Sequence, residues 1–312
     1  MNKKYRMSQT TLVALTLNNF NLIRGLNIMN SRINIPIYLF ILLFMQFSHV
    51  QADELRDLNF KLFDAAKTGD FKKTKQLIEQ GASVKARNRI GNSALIYAVK
   101  SGSIKLVRYL VDQEAQINMV NTRGQSALMM ASKGGYFDIV KYLLEHGAEV
   151  NHFSLKKVTA LSEAVYGEHT KIVQLILENG AVVDIVDNTG KTSLIYASAN
   201  GNLQIIKLLL TKTEDVNKKY SHDLTPLMWA SGYGKNDAVT LLLNAGADSN
   251  IQDDRGQSAL MIATSAGYVD VVTQLLNHGA QRELKNNSGK SAIDIASEGK
   301  NKELILVLTT TI

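Results

Sequence analysis

The feature that most constrains this chain is a recurrence at one fixed interval. Helix starts of a single type stand at Ser93-Ala94-Leu95, Ser126-Ala127-Leu128, Thr159-Ala160-Leu161, Thr192-Ser193-Leu194, Thr225-Pro226-Leu227, Ser258-Ala259-Leu260 and Ser291-Ala292-Ile293, each 33 residues after the last. Two residues ahead of each start the series runs Gly91, Gly124, Lys157, Gly190, Asp223, Gly256 and Gly289. A second glycine series (Gly69, Gly102, Gly135, Gly201, Gly234, Gly267) and a Gly-Ala series (Gly81, Gly147, Gly180, Gly246, Gly279) keep the same register. Series that share one period describe a stack of like units, each of which buries its apolar face against the next.

The unit is clearest in Ser221–Asn250. Thr225 suits a helix N-cap, and Pro226 suits the first helical position, where a missing N–H is no loss. Leu227 and Ala230 share one face. Gly232-Tyr233-Gly234 ends that helix, and Ala238, Val239, Leu241, Leu242 and Leu243 form a second, more apolar one closed by Gly246. Neither helix is long enough to stand alone in water, so neighbours are required.

With its 33-residue unit and Thr-Pro-Leu entry, the chain resembles the ankyrin-repeat family, of the bacterial exported type. The resemblance spans residues 57–312. It implies an all-α repeat solenoid, an array of helix–turn–helix units with turn or β-hairpin fingers. The expected organisation is a signal peptide region at 1–52 and a repeat domain at 53–312. Within the latter lie an N-terminal cap at 57–87, repeats at 88–120, 121–153, 154–186, 187–219, 220–252 and 253–285, and a C-terminal cap at 286–312. The end units are expected to be more polar, through Lys61, Asp64 and Lys67 at one end and Asp294 at the other.

The region ahead of the repeats reads as an export signal. Ile35–Phe47 is apolar over 13 residues, short of the ~20 a membrane span needs. Arg32 precedes it, and Val50-Gln51-Ala52 then Asp53-Glu54 follow, which predicts cleavage after Ala52 and a periplasmic or secreted product. Met29 is the expected true start, since the stretch ahead of the apolar segment is otherwise long for such a signal. The membrane is then met only transiently; the alternative is an anchor left by an uncleaved leader. Residues 1–52 carry Lys3, Lys4, Arg6, Arg24 and Arg32 and no acid, so the net charge of +7 falls to 30 basic against 28 acidic residues beyond them. That balance offers no case for nucleic acid. The absence of cysteine excludes thiol catalysis and cysteine–metal sites, and suits an oxidising compartment.

No catalytic constellation or cofactor motif is present. Gly190-Lys191-Thr192 and Gly289-Lys290-Ser291 lack the glycine that a phosphate loop needs five residues earlier, having Ile185 and Leu284 there. His146 and His278 are repeats of one slot. The resemblance implies instead a monomeric, non-catalytic scaffold that binds a protein through its concave face, or alternatively a secreted bacterial effector that binds host proteins. The residues expected to face the groove by that resemblance are Arg89, Asn92, Arg123, Gln125, Lys156, Tyr166, Lys191, His222, Trp229, Tyr233, Arg255 and Gln257. The aromatic set Tyr97, Tyr196 and Trp229, with Tyr136, Tyr166, Tyr233 and Tyr268 near helix ends, is the candidate contact surface; Tyr97, Tyr196 and Trp229 either face the groove or pack between inner helices. Glu163, where other units have Tyr, Met, Trp or Ile, either faces a ligand or pairs with a lysine. Thr213-Glu214 replaces Gly-Ala in one unit, so that loop must turn differently.

Overall fold

Every helix start expected from the sequence is one in the structure, a computed structural model that describes residues 34–310. The helices are α1 (Asn34–Lys67) and α2 (Phe71–Glu79), then α3 (Ala94–Lys100) with α4 (Ile104–Asp112), α5 (Ala127–Gly134) with α6 (Phe137–Glu145), α7 (Ala160–Tyr166) with α8 (Thr170–Glu178) and α9 (Ser193–Asn200) with α10 (Leu203–Leu210). The series continues with α11 (Pro226–Gly232) and α12 (Asn236–Asn244), α13 (Ala259–Ala266) and α14 (Val269–Asn277), and α15 (Ala292–Glu298) and α16 (Lys302–Thr309). The chain divides into two units, Met1–Arg56 and Asp57–Ile312, and the repeats lie in the second. Met29 and the basic residues ahead of the apolar segment lie outside the described residues; Ala52 sits inside α1. Among the described residues no helix is long and apolar enough to cross a membrane.

The helices start where they do because a side chain caps each inner one. Ser93, Ser126, Thr159, Thr192, Thr225, Ser258 and Ser291 each accept the backbone N–H three residues on, an interaction worth about 0.5–2 kcal/mol per helix. Asp294 completes one such cap: it accepts from the Ser291 N–H and hydroxyl at 2.9 and 2.7 Å. The expected polar end residue is thus also a helix-starting device. After α1 no helix exceeds nine residues, so stability comes from stacking. Inner helices pack on inner helices and outer on outer along the array. Leu95, Leu128, Leu161, Leu194, Leu227 and Leu260 are buried along the inner row, and Leu110, Leu143, Ile176, Leu209, Leu242 and Leu275 along the outer. Each contributes roughly 1.5–3 kcal/mol by leaving water.

The fingers joining the units are tight turns rather than paired strands. Among the described residues only isolated bridges occur, at Arg87–Ser93, Phe153–Thr159 and Gln252–Ser258. A side chain at the base of the finger takes the place of a ladder. Oδ1 of Asn121 accepts the N–H groups of Arg123 and Gln125 at 2.9 and 3.0 Å. Asn88, Asp187, Asp253 and Asn286 do the same one or more units away, and the Ser154 hydroxyl does so more weakly. Such Asx turns satisfy backbone donors that a loop leaves open.

Two kinds of rung then tie unit to unit. Asn118 donates to the Gly147 carbonyl and accepts the Glu149 N–H at 2.9 and 3.0 Å; Asn151, Asn217 and Asn250 repeat this against Gly180, Gly246 and Gly279. At the fingertips Thr122, Leu155, Asn188, Asp254 and Asn287 each donate a backbone N–H to the preceding finger. The unit at 187–219 departs from both. Its Thr213 stands where a Gly-Ala turn belongs, and the side chain facing it from the previous unit is Asp184, which meets Lys218 at 3.9 Å and the Tyr220 hydroxyl at 3.4 Å. Burial first, and the Asp184 charge next, push the Tyr220 phenol up to about 12. Among the described residues no fingertip N–H joins the finger at Ser221 to the one at Gly190. Here His222 and Asp223 take positive φ.

The fingertip conformation makes a test. Gly190 has φ +77° and a Cβ there would overlap that of Ser221, whereas Lys157 holds the same left-handed backbone at φ 55° with a side chain. Gly190→Ala should destabilise the array by about 1–3 kcal/mol. Lys157→Gly should stabilise it by about 0.5–1 kcal/mol, the relief of left-handed strain less the added freedom of the unfolded chain. Urea melts followed by circular dichroism check both signs.

Candidate binding face

The fingers and inner helices of neighbouring units enclose a run of adjoining grooves. The largest, ≈ 790 Å³, lies between the fingers carrying Arg123, Leu155, Lys156 and Asp187 and the helix residues Lys133, Glu163, Tyr166 and Tyr196. Tyr196 is shared with a second groove of ≈ 420 Å³ lined by Glu168, Lys191, Trp229, Tyr233 and Lys235. Trp229 and Tyr233 are shared in turn with a third, of ≈ 170 Å³, beside Arg255 and Ile262.

Aromatic side chains form the floor. Tyr166 meets Tyr196 edge-on at 6.0 Å, and Trp229 stacks on Tyr233 at 5.9 Å with the rings 14° apart. The Lys191 ammonium sits 4.8 Å from the Trp229 ring centre and 5.6 Å from that of Tyr196, within the range of a cation–π attraction. Tyr166 and Tyr233 are 66 % and 55 % exposed, and Leu155 at the fingertip is 72 % exposed. Tyr196, Trp229 and Tyr97 are half-buried. Tyr196 and Trp229 therefore join the two sequence readings, half-buried yet lining the grooves, whereas Tyr97 lines none of them and meets Phe63 at 6.1 Å.

The carboxylates here are spoken for. Glu163 is buried and pairs with Lys133 at 3.3 Å. Asp187 accepts from Tyr196 Oη at 2.6 Å, Thr189 Oγ1 at 2.7 Å, and the backbone N–H groups of Thr189 and Lys191 at 2.8 and 3.1 Å. Burial alone would raise its pKa, but hydrogen bonds from Tyr196, Thr189 and Lys191 outweigh that and hold the carboxyl below its ordinary range. Burial, and then the bond to Asp187, push the Tyr196 phenol up. Among the described residues no group of three or more His, Asp or Glu side chains is placed to hold a metal ion. Gly190-Lys191-Thr192 is a fingertip followed by a helix cap, with Lys191 lying over aromatic rings.

The family described as ankyrin repeats (3 copies) matches residues 62–154, 151–220 and 224–311. The chain belongs to the ankyrin-repeat family. No curated protein matches it.

Within this ankyrin array the expected groove residues separate into three sets. Arg123, Gln125, Lys156, Tyr166, Lys191, Trp229, Tyr233 and Arg255 line the grooves, although Arg255 is bound through two guanidinium nitrogens to the buried Asp253. His222 is exposed and held by Asp254 of the next finger at 2.9 Å, and Gln257 and Arg89 line none of the grooves. Arg89 stands one residue out of register with Arg123, Lys156 and Arg255; Ile90 holds their fingertip position. Asn92 requires a correction: it is 1 % exposed, its Oδ1 accepting from Asn121 across the unit boundary at 3.2 Å, so it serves packing and meets no ligand. Tyr136 and Tyr268 brace neighbouring units, their rings lying against Gly102 and Gly234 of the preceding unit, with Tyr136 half-buried and Tyr268 exposed.

Sequence reasoning missed Leu155. A signal was there, since the same slot elsewhere holds Arg89, Thr122, Asn188, Ser221, Asp254 and Asn287, and one apolar residue in a polar, solvent-facing series has no core to enter.

The Asp187–Tyr196 pair has a neutral counterpart three units earlier, where Asn88 donates to Tyr97 Oη at 2.7 Å. Asp187→Asn should therefore change stability by less than about 1 kcal/mol, while Asp187→Ala, which orphans several donors, should cost about 1–3 kcal/mol. A carboxyl whose folded pKa is lowered contributes stability above its unfolded pKa of about 3.9 and loses it as pH falls through the folded value. Melting temperatures taken down through that range should fall more steeply for the native protein than for Asp187→Asn.

Proposed function

We propose that this protein is a non-catalytic scaffold that captures a protein partner in the groove between its fingers and inner helices. The observation that carries the reading is the exposed set Leu155, Tyr166 and Tyr233 around adjoining grooves. Tyr, Trp and Arg dominate binding hot spots, and exposed apolar groups concentrated in a concavity mark interaction surfaces on soluble proteins. Ankyrin-repeat membership supports a protein as the partner.

A photo-crosslinking residue in place of Tyr166, introduced in the native cell, should join the protein to one discrete partner. The same residue in place of Lys171, exposed on outer helix α8, should not. Equal crosslinking at both positions would sink the groove assignment. Tyr166→Ala with Tyr233→Ala should abolish complex formation with little change in melting, because both rings are more than half exposed.

We place the mature scaffold in the periplasm, exported by the apolar segment at Ile35–Phe47 with cleavage after Ala52. The basic-then-apolar order and the small residue before Asp53 support this reading. Fractionation and terminal peptide mass should find a chain beginning at Asp53 in the periplasmic fraction. A membrane-bound chain that keeps Ile35–Phe47 would overturn export and leave an anchored scaffold.

A further inference from the structure

Near-neutral total charge beyond the leader conceals a sorting of charge by face. From Arg87 to Asn200, the fingertips (87–92, 120–125, 153–158 and 186–191) and inner helices carry eight Lys or Arg and two carboxylates, Glu163 and Asp187, while Glu114, Glu149 and Asp184 lie in the loops that follow the outer helices. Neither carboxylate is free: Glu163 is engaged by Lys133, and Asp187 by Tyr196, Thr189 and two backbone amides. Glu168, in the turn after α7, accepts from Asn200 and Asn202 at 3.5 Å. The cations fare differently. Ion pairs on this face use Lys133, Lys219, Arg255 and Lys290; among the described residues none reaches Arg123, Lys156, Lys157 or Lys191. Arg123, Lys156 and Lys157 are also exposed. In the groove of ≈ 790 Å³, Lys133 is thus paired with Glu163 and Asp187 is turned to its own finger and Tyr196, while Arg123 and Lys156 stand exposed without an ion pair among the described residues, where Leu155 and Tyr166 expose their apolar surface.

We propose that this groove, together with the adjoining one that Lys191 lines, takes an acidic, extended protein segment whose carboxylates meet Arg123, Lys156 and Lys191 while an apolar side chain between them packs on Leu155, Val158 and Tyr166. The inference rests on the protein-binding reading above and names the chemistry of that partner. Complementary charge steers association and excludes wrong partners, while the buried apolar contact supplies most of the holding energy. A single-stranded nucleic acid also seeks cations interleaved with aromatic rings, but it needs open ring faces on which bases can stack. Here Trp229 has Tyr233 stacked against it and Lys191 above its ring, and the most exposed apolar group, Leu155, is aliphatic. An aliphatic or aromatic side chain of a peptide fits that surface better than a base does.

The test uses the purified full chain against a displayed library of random peptides, with oligothymidylate as the polyanion probe. Enriched peptides should carry Asp or Glu on either side of Leu, Phe or Tyr. Their binding should depend on Tyr166 and weaken with added salt. Arg123→Ala with Lys156→Ala should weaken a selected peptide by about three- to tenfold at unchanged melting temperature. Replacing the peptide's acids by Asn and Gln should cost the same factor and remove its sensitivity to that double variant, the signature of a direct pair. Tyr166-dependent peptides without acidic residues would overturn this inference and leave the protein-binding reading standing. A library yielding no Tyr166-dependent binder would overturn both. Oligothymidylate that competes with the peptides, and loses as much affinity as they do in the double variant, would replace the acidic peptide with a nucleic acid.

Discussion

Burial of one leucine row against the next is the interaction on which the rest of this molecule depends. Helices of seven to nine residues cannot hold themselves together, because fixing the first turn costs more than its few hydrogen bonds return. Leu95 through Leu260 on the inner row, and Leu110 through Leu275 on the outer, supply what the helices lack, and they do so only between units. Caps, Asx turns and Asn rungs set where each helix begins and how far it sits from its neighbour. Every polar device in the array positions backbone that the leucines have already brought together.

Much of this was legible in the sequence because it recurs. The helix starts, both glycine series and the altered loop at Thr213-Glu214 are visible as register, and local chemistry such as Thr225-Pro226 reads directly as a cap. The Asn rungs are equally periodic, at Asn118, Asn151, Asn217 and Asn250, yet their role is a contact across a unit boundary that no single unit displays. The same limit explains the site residues. Asn92 looks like a fingertip amide until Asn121 of the next unit is placed beside it. Tyr136 looks like an exposed ring until it lies over Gly102.

Charge was the least legible quantity, and the reason is geometric. A sum over the sequence mixes the fingers and inner helices with the outer helices, which carry much of the acid, including Asp112, Asp138, Glu145 and Glu178. The helix–turn–helix unit places those two groups on opposite faces, so a near-neutral chain presents a basic groove. Residue-by-residue pairing then decides how much of that charge remains available: Arg255 is committed to Asp253, and Lys156 to no carboxylate among the described residues.

The unit at 187–219 gives the array an order as well as a length. Units joined by an Asn rung to a Gly-Ala turn are interchangeable parts, since any one can follow any other and find its hydrogen bonds. The unit containing Asp187, Lys191 and Tyr196 is not such a part. It must follow a unit ending in Asp184 and precede one opening with Tyr220, because those two side chains meet around it. Duplication or loss of repeats can thus lengthen or shorten the ends of the array while leaving its middle fixed. That middle is what links the groove at Tyr166 to the groove at Trp229, so the binding face has an address within the solenoid that reshuffling its repeats cannot move.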